Sequence, residues 1–385
     1  MFHLFVALVL ALNLYDWWRL RCAFLKHNQP LAVGLLLVIL MLVLTPAFVR
    51  LAKSLPPGLQ EWFAQLSWIW LAFAFMLGFA FLVMDLWNIG VYAVAFLPLG
   101  EHWLPQCLRF LISPFGQGCA AIAYLGFAAT WGILEAQSVR LKEVVVESPL
   151  VPPTVGEYRV ALMTDMHLGP SANWSRLRRV MQLFDDAKPD LILDGGDLVE
   201  VGGHGSREQK MAQKLAELHC TSGKKFAVLG NHDVYAGVEN SRTIHELAGL
   251  QLLEENTAVI DGWLYLHGVR DPAFGGRKMP GDEHHRPTFP PIPANHFSIL
   301  LEHRPDLFPE MPAYSLILSG HTHNGQIFPF NYLVKLQYPR PIGKLLTLER
   351  GIQFYNSPGT GVWGPPFRLL APPEVTLFLL RHKEP

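Results

Sequence analysis

The chain of 385 residues is poor in cysteine and close to neutral in charge. Its four cysteines lie at positions 22, 107, 119 and 220, without a CxxC or paired spacing, so the sequence predicts neither a disulfide framework nor a thiolate metal site. The formal net charge of -1 gives no electrostatic support for a nucleic-acid partner. No internal repeat is visible. These absences direct attention to the apolar residues and to ligands that carry oxygen or nitrogen.

Charge is scarce before about residue 135, whereas the rest of the chain has the charge density of an ordinary globular domain. Half of the residues are hydrophobic, and the mean hydropathy is positive. This uneven distribution predicts that residues 1–138 form a multi-pass transmembrane region of about four helices. The prolines between Ser148 and Pro153 predict that residues 139–157 are a linker or a strand leading into a globular domain at 158–385.

Four segments are candidates for the transmembrane helices. Residues 31–49 and 67–84 are each long and apolar enough to cross a hydrocarbon core of roughly 30 Å. Residues 112–134 contain small residues that suit close helix packing, and residues 2–18 end in a possible interfacial anchor of tryptophan and arginine. The stretch 87–99 is too short to be a separate span; it either extends the third helix or lies at the interface.

The first segment has a competing interpretation as a cleaved signal peptide, and it is interrupted by Asn13 and Asp16. No lysine or arginine opens it and no small-residue cleavage site follows, so we expect a retained helix. The predicted location is therefore the cell membrane. Lysine and arginine beside the spans are nearly balanced, so the sequence does not decide which side the globular domain faces.

Polar stretches made of metal-ligand residue types follow five strand-like apolar runs after residue 160. Ligands at the ends of buried strands converge on one site. The stretches contain Asp165 and His167; Asp197; Asn231, His232 and Asp233; His303; and His321 and His323. Short helical patterns such as 173–187 and 205–218 alternate with the strands, which favours α/β architecture.

These side chains suit two divalent cations of hard to borderline character. Asp165 and His167, two residues apart at a strand end, can hold one cation. Asp197 can bridge both cations through its two oxygens, and Asn231 adds a neutral oxygen. His321 and His323 would supply one ligand to each cation, and His303 would complete the second.

Two further residues have predicted catalytic roles. His232 would lie near the substrate as a general acid for the leaving oxygen, and Asp233 would orient its ring. Any one of these histidines alone is more often an ordinary core or surface residue. Five such stretches in order after apolar strands are a much stronger signal than any one of them.

Residues 158–381 resemble the calcineurin-like metallophosphoesterases, on the motifs Asp165-Met-His167, Gly196-Asp197, Gly230-Asn231-His232-Asp233, His303 and Gly320-His321-Thr-His323. The run from His321 to Pro329 and the later run from Ser357 to Arg368 are similar to the membrane-bound branch of that family. The resemblance implies an α/β metallophosphoesterase sandwich, in which two β-sheets are flanked by helices. Together with the N-terminal α-helical transmembrane bundle predicted from composition, this gives the expected fold class.

The resemblance also implies how the ligands divide between the cations. One cation is held by Asp165, His167, Asp197 and His323, and the other by Asp197, Asn231, His303 and His321. The chain departs from the family at Glu200, where aspartate is frequent, and at Asn324, where glycine is commoner in this branch. Neither position is an implied ligand, so both departures bear on loop shape or substrate.

The ligands and the transmembrane region together predict a membrane-anchored phosphoesterase. In it, a hydroxide between two cations attacks a phosphodiester, whether or not that diester is linked to a lipid. Manganese, iron and zinc suit the ligands, and manganese is favoured. One alternative is a lipid pyrophosphatase of the UDP-diacylglucosamine type; another is a non-catalytic metal-binding membrane protein. The predicted partners are the bilayer and the phosphoester, with no nucleic acid, and the sequence does not define an oligomeric state.

Two sets of side chains are candidates for contacts with the substrate. Ordinary core packing explains the aromatic set at least as well, and a surface position explains the arginines better. An aromatic set could form an apolar rim beside the cations; it contains Phe328, Phe330, Tyr332, Tyr338, Trp363 and Phe367. Arg304, Arg340 and Arg368 could bind phosphate.

Overall fold

A computed structural model of the chain describes residues 2–51, 57–95, 113–169, 171–200, 205–275 and 287–384. The chain divides into two compact units, residues 1–131 and residues 132–385. Cys107 and residues 276–286 lie outside the described residues.

The N-terminal helices are α1 (Phe2–Leu20), α2 (Gln29–Leu51), α3 (Pro57–Ala95) and α4 (Pro114–Gln137). Among the described residues, two segments are long and apolar enough to cross a membrane, by length and composition alone. They are Gln65–Val91 in α3 and the whole of α4, which correspond to the spans predicted at 67–84 and 112–134.

The other predicted spans receive less support. In α2 the apolar segment Gln29–Val43 is shorter than a full span. Among the described residues, α1 does not combine the length and the hydropathy of a membrane-crossing helix. Residues 87–95 of the ambiguous stretch continue α3, whereas 96–99 lie outside the described residues. The structure therefore supports two candidate spans rather than the predicted multi-helix bundle.

The polar residues of α1 are buried inside the first unit. Asn13 and Asp16 are each 1% exposed. The Asn13 Oδ1 atom accepts a hydrogen bond of 2.8 Å from the indole of Trp70, and Arg19 pairs with Asp85. Asn13 and Arg19 therefore have polar partners, as is usual inside an apolar helical unit, whereas the Asp16 carboxylate has no hydrogen-bond partner among the described residues.

The second unit contains two six-stranded sheets. The first has the order β1-β12-β2-β3-β4-β5, in which β12 and β2 are antiparallel and all other neighbours are parallel. Its strands are β1 (Arg140–Ser148), β2 (Glu157–Met163), β3 (Leu191–Asp194), β4 (Lys225–Ala227), β5 (Gln251–Leu252) and β12 (Glu374–His382). Strand β1 occupies much of the range 139–157, so that range contains a full member of the sheet.

The second sheet has the order β10-β11-β9-β8-β7-β6, with parallel pairing from β11 to β7 and antiparallel pairing at both ends. Its strands are β6 (Asn256–Ile260), β7 (Leu264–Gly268), β8 (Phe297–Leu301), β9 (Leu316–Ser319), β10 (Leu346–Thr347) and β11 (Gln353–Asn356). The central strands are apolar on both faces because both faces are covered.

One apolar core lies between the sheets, and a second lies between the first sheet and its helices. The helices of this unit are α5 (Trp174–Ala187), α6 (Ser206–Ala216), α7 (Asn231–Ala236), α8 (Val238–Leu247) and α9 (Phe330–Gln337). In α5, Leu177, Val180 and Phe184 recur at helical spacing and are buried, and the Asn173 side chain caps the first turn. Two mixed sheets flanked by helices agree with the α/β sandwich predicted from the sequence.

Candidate metal centre

The carboxyl ends of five strands position the predicted ligands. Asp165 and His167 follow β2, Asp197 follows β3, and Asn231 opens α7 after β4. His303 follows β8, and His321 and His323 follow β9. Because β2, β3 and β4 are parallel neighbours, as are β8 and β9, their ends meet at one edge of the sandwich.

Asp165, His167 and His323 form the first group of side chains that could hold a metal ion. The His167 Nε2 atom lies 3.0 Å from Nε2 of His323, which lies 3.3 Å from Oδ1 of Asp165. Oδ2 of Asp197 lies 3.8 Å from His167 Nε2. All three side chains of the group are buried, so a bound cation would be shielded from bulk water.

Asp197, His303 and His321 form the second group. The Asp197 Oδ2 atom lies 3.1 Å from His303 Nε2, which lies 3.2 Å from Nδ1 of His321. Asp197 thus contacts both groups. Asn231 follows Gly230 and precedes His232, whose amide donates to Asp197 Oδ1. The structure therefore brings six of the seven predicted ligands into these two groups, and Asn231 lies in the chain directly between Gly230 and His232.

The donors in this centre fit divalent cations. The buried Asn231 Oδ1 atom has no hydrogen-bond partner in the described part of the chain, which is unusual for a buried amide oxygen. Pairs of imidazole nitrogens approach within 3.0 and 3.2 Å. Closely spaced imidazole nitrogens and an amide oxygen without a partner are donors of the kind that bind manganese, iron or zinc.

The charges of the side chains also suit cation binding. Burial alone would raise the pKa of Asp165 and of Asp197, but adjacent histidines lower both below the usual value, so both are anionic. Burial lowers the pKa of His323 to about 4 and, with the charge of His303, lowers that of His321 well below its usual value. These imidazoles are neutral, as metal ligands must be.

The backbone of the ligand loops is strained. Asp165, His167, Asp197, His321 and His323 all have positive φ angles, between 47° and 71°. Such conformations are rare for residues with a side chain and persist where the surrounding structure enforces them. Gly230 is needed for a different reason, because a Cβ atom there would lie 2.2 Å from Asp197 Oδ1.

His232 is held by Glu200. The Nδ1 atom of His232 lies 2.8 Å from Glu200 Oε1, and Glu200 Oε2 lies 3.0 Å from Nδ1 of His167. Burial lowers the pKa of His232, but the hydrogen bond to Glu200 and the charge of Asp197 raise it to about 9. The side chain of His232 is 16% exposed, so its ring is accessible from solvent. Glu200 thus contacts one predicted ligand and the predicted general acid.

The prediction that Asp233 orients His232 is wrong. The Asp233 carboxylate is fully buried and accepts hydrogen bonds of 2.8 to 2.9 Å from the amides of Asp197, Val199 and Gly230. It therefore fixes two ligand loops, and Glu200 orients His232. Glu200 lies three residues after Asp197, at a position where the chain departs from the family, and this departure is the signal in the sequence that points to Glu200.

The predicted substrate residues are only partly placed at the centre. Trp363 packs edge-on against the His232 ring at 5.7 Å, and Tyr338 packs against His321 at 5.8 Å. Phe367 is buried, with 3% exposure, and cannot form a rim. Trp363 and Tyr338 thus form an aromatic wall beside the metal centre.

The predicted phosphate-binding arginines are also separated by the structure. Arg368 is fully buried; it donates to the carbonyls of Pro358 and Ala371, and its Nη2 lies 3.1 Å from Nδ1 of His323. It cannot reach a substrate, and it supports a ligand loop instead. Arg304 pairs with Asp271 at 2.8 Å, and Arg340 is exposed.

Comparison with known proteins agrees with this geometry. The family model for calcineurin-like phosphoesterases matches residues 158–325. An uncharacterized metallophosphoesterase of Aquifex aeolicus is 33% identical over 254 residues, which cover 65% of this chain and 95% of that protein. A transmembrane protein with metallophosphoesterase domain from Danio rerio is 30% identical over 287 residues, which cover 70% of this chain and 63% of that protein.

Proposed function

This chain belongs to the calcineurin-like metallophosphoesterase family, and on that premise we propose that it is a membrane-anchored phosphodiesterase that uses two divalent cations, with manganese favoured. The observation that carries the proposal is the position of Asp197, whose carboxylate contacts both groups of ligands. When bound, two cations would neutralise phosphoryl oxygens and lower the pKa of a water molecule.

The protein side chains supply the proton for the leaving group. Glu200 occupies Nδ1 of His232, which leaves Nε2 to give a proton to the departing oxygen. The raised pKa of His232 keeps that proton on the ring near neutral pH. The same glutamate lies beside His167, so it aligns the acid with a ligand of the first group.

The membrane part of the proposal is a multi-pass anchor. Support comes from the two apolar segments Gln65–Val91 and Pro114–Gln137 and from the transmembrane proteins among the relatives. A catalytic domain held at a bilayer favours phosphodiesters with a lipid part. The aromatic wall formed by Trp363 and Tyr338 beside the centre is consistent with such substrates.

The proposal is tested with full-length protein purified in detergent and supplied with manganese. Hydrolysis of bis-p-nitrophenyl phosphate and of UDP-diacylglucosamine is measured for the wild type, Asp197→Ala and His232→Ala. We expect both substitutions to lower turnover by at least about 100-fold, because one removes a ligand shared by both groups and the other removes the acid. His219→Ala, at an exposed histidine, is the control.

Each outcome discriminates between functions. Preference for the simple diester supports the proposal, and preference for UDP-diacylglucosamine indicates the lipid pyrophosphatase instead. Full activity in Asp197→Ala contradicts a two-cation mechanism. Two manganese ions bound per chain without hydrolysis of either substrate would indicate a metal-binding membrane protein that is not an enzyme.

A further inference from the structure

Helix α9 exposes apolar side chains next to the metal centre. Tyr332, Leu333 and Leu336 are 60%, 53% and 81% exposed, and no residue of α9 is buried. We call these three residues the α9 surface. Clustered apolar side chains exposed on one short helix are costly in water and commonly mark a contact with a membrane or a protein.

Both ends of α9 are attached to the metal centre. Its N-terminal end follows the loop of His323, where the Gln326 side chain binds the backbone of Trp363 with hydrogen bonds of 2.7 and 2.8 Å. At its C-terminal end, the Tyr338 ring lies 5.8 Å from the ring of His321. Since eight helical residues span about 12 Å, the α9 surface lies close to the ligands.

The loop before α9 is also connected to the last turns of α4, residues 132–137, which belong to the same unit as the sandwich. Phe328 and Leu369 are joined by a backbone hydrogen bond of 3.0 Å. The next amides, of Leu370 and Ala371, donate to the Glu135 carboxylate at 3.3 and 2.6 Å. Leu370 itself is 59% exposed. An exposed leucine therefore lies where a candidate membrane-crossing helix ends.

The charge around the α9 surface is positive. Residues 330–344 contain Lys335, Arg340 and Lys344 and no aspartate or glutamate. All three basic residues are exposed, and the Lys335 ammonium lies 5.6 Å from the centre of the Tyr332 ring. Apolar side chains flanked by basic ones are typical of helices that lie in the interface of an anionic bilayer.

We propose that the α9 surface, together with Leu370, lies in the lipid interface of the membrane that anchors the protein. The inference rests on the proposed membrane anchoring. Its occupant is the bilayer, because α4 ends beside Leu370 and because the basic residues complement anionic headgroups. A lipid-linked phosphodiester could then reach the metal centre without leaving the membrane.

The test is photo-crosslinking of the full chain in nanodiscs of phosphatidylcholine and phosphatidylglycerol. p-Benzoylphenylalanine replaces Leu336 in one variant and Val259 in the control, where the side chain is 53% exposed on β6. We expect lipid adducts, detected by mass spectrometry, to be several-fold more abundant at position 336. Equal adducts at both positions, or crosslinks from position 336 to a second protein chain, would overturn the inference.

A kinetic experiment adds an independent readout. The double variant Leu333→Glu, Leu336→Glu should lose most hydrolysis of a bilayer-embedded diester while it hydrolyses soluble bis-p-nitrophenyl phosphate like the wild type; Val259→Glu should change neither rate. Equal rates for the double variant and the wild type on the embedded diester contradict the inference.

Two other results concern the proposed function and not the α9 surface. Extraction of the wild type from membranes by carbonate refutes the anchoring, and absence of soluble-diester hydrolysis in the wild type refutes the proposed activity.

Discussion

Glu200 is the residue that contacts both a predicted metal ligand and the proposed general acid. One of its oxygens lies beside a ligand of the first group, His167, and the other beside His232. Burial raises the pKa of Glu200, but the two histidines lower it to about 2. The anionic carboxylate then stabilises the protonated form of His232. A single side chain thus sets the orientation and the protonation of the proposed acid.

Glu200→Gln should lower kcat on bis-p-nitrophenyl phosphate by roughly 10- to 100-fold, the usual effect of losing a partner that orients a site residue. Because Glu200 raises the pKa of His232, its removal lowers that pKa, and the alkaline limb of the kcat profile moves to lower pH. The pH dependence of kcat measures this shift.

The control for this substitution is Glu217→Gln, since the side chain of Glu217 is 58% exposed. A profile for Glu200→Gln with the alkaline limb at the same pH as in the wild type would show that Glu200 does not set the protonation of His232.

At the scale of elements, the strand ends determine where ligands lie, and the turns after them determine whether ligands can meet. Three residues after the end of strand β4, Gly230 caps α7 and packs against Asp197. The Asp233 carboxylate then accepts hydrogen bonds from Gly230 and Asp197. Two strand ends are joined in this way through one short helix.

Gly230→Ala should abolish hydrolysis and reduce the metal content per chain. The added Cβ atom would meet the amide of Asp197 at 2.6 Å and its carboxylate at 2.2 Å, so the ligand shared by both groups must move. Metal analysis by mass spectrometry and the diester assay measure both effects.

Gly126→Ala is the matched control, because no atom lies within 4 Å of its added Cβ and alanine favours helix. Normal metal content and activity in Gly230→Ala would mean that the close packing of the two loops is not required.

At the scale of the whole molecule, folding, metal binding and pH are linked. Burial lowers the pKa of His303, but Asp197 raises it from 6.5 to about 10 in the protein alone. The stabilisation from this protonated ring is complete below its ordinary pKa and is lost as pH rises through about 10. A cation needs the neutral ring, so binding releases a proton and strengthens as pH rises.

Removal of manganese by a chelator should therefore lower Tm, and more so at about pH 8 than at about pH 6. Saturation at 100 times Kd contributes about 2.7 kcal/mol to stability. Thermal unfolding of the full chain in detergent measures the shift, and Asp197→Ala should show little of it. A shift that is larger at the lower pH would contradict the assignment of His303 as a ligand.

The amino-acid sequence alone determined the family of the globular domain and the positions of its predicted ligands. Apolar runs followed by aspartate, asparagine or histidine are local patterns; the strands lie where those patterns place them, and six of the seven predicted ligands lie in two groups that could hold a metal ion. Residue types fix the preferred metal chemistry without knowledge of the fold. The two long apolar segments of α3 and α4 could also be identified from composition alone.

Only the tertiary structure decided which side chains form hydrogen bonds with the predicted site residues. Asp233 is next to His232 in sequence, yet its carboxylate turns to three backbone amides, and Glu200 reaches the ring from another strand end. The tertiary structure also decided exposure: Arg368 is buried and Leu336 is exposed, although an arginine is usually exposed and a leucine usually buried. Partners and exposure depend on segments distant in sequence, so local patterns do not contain them.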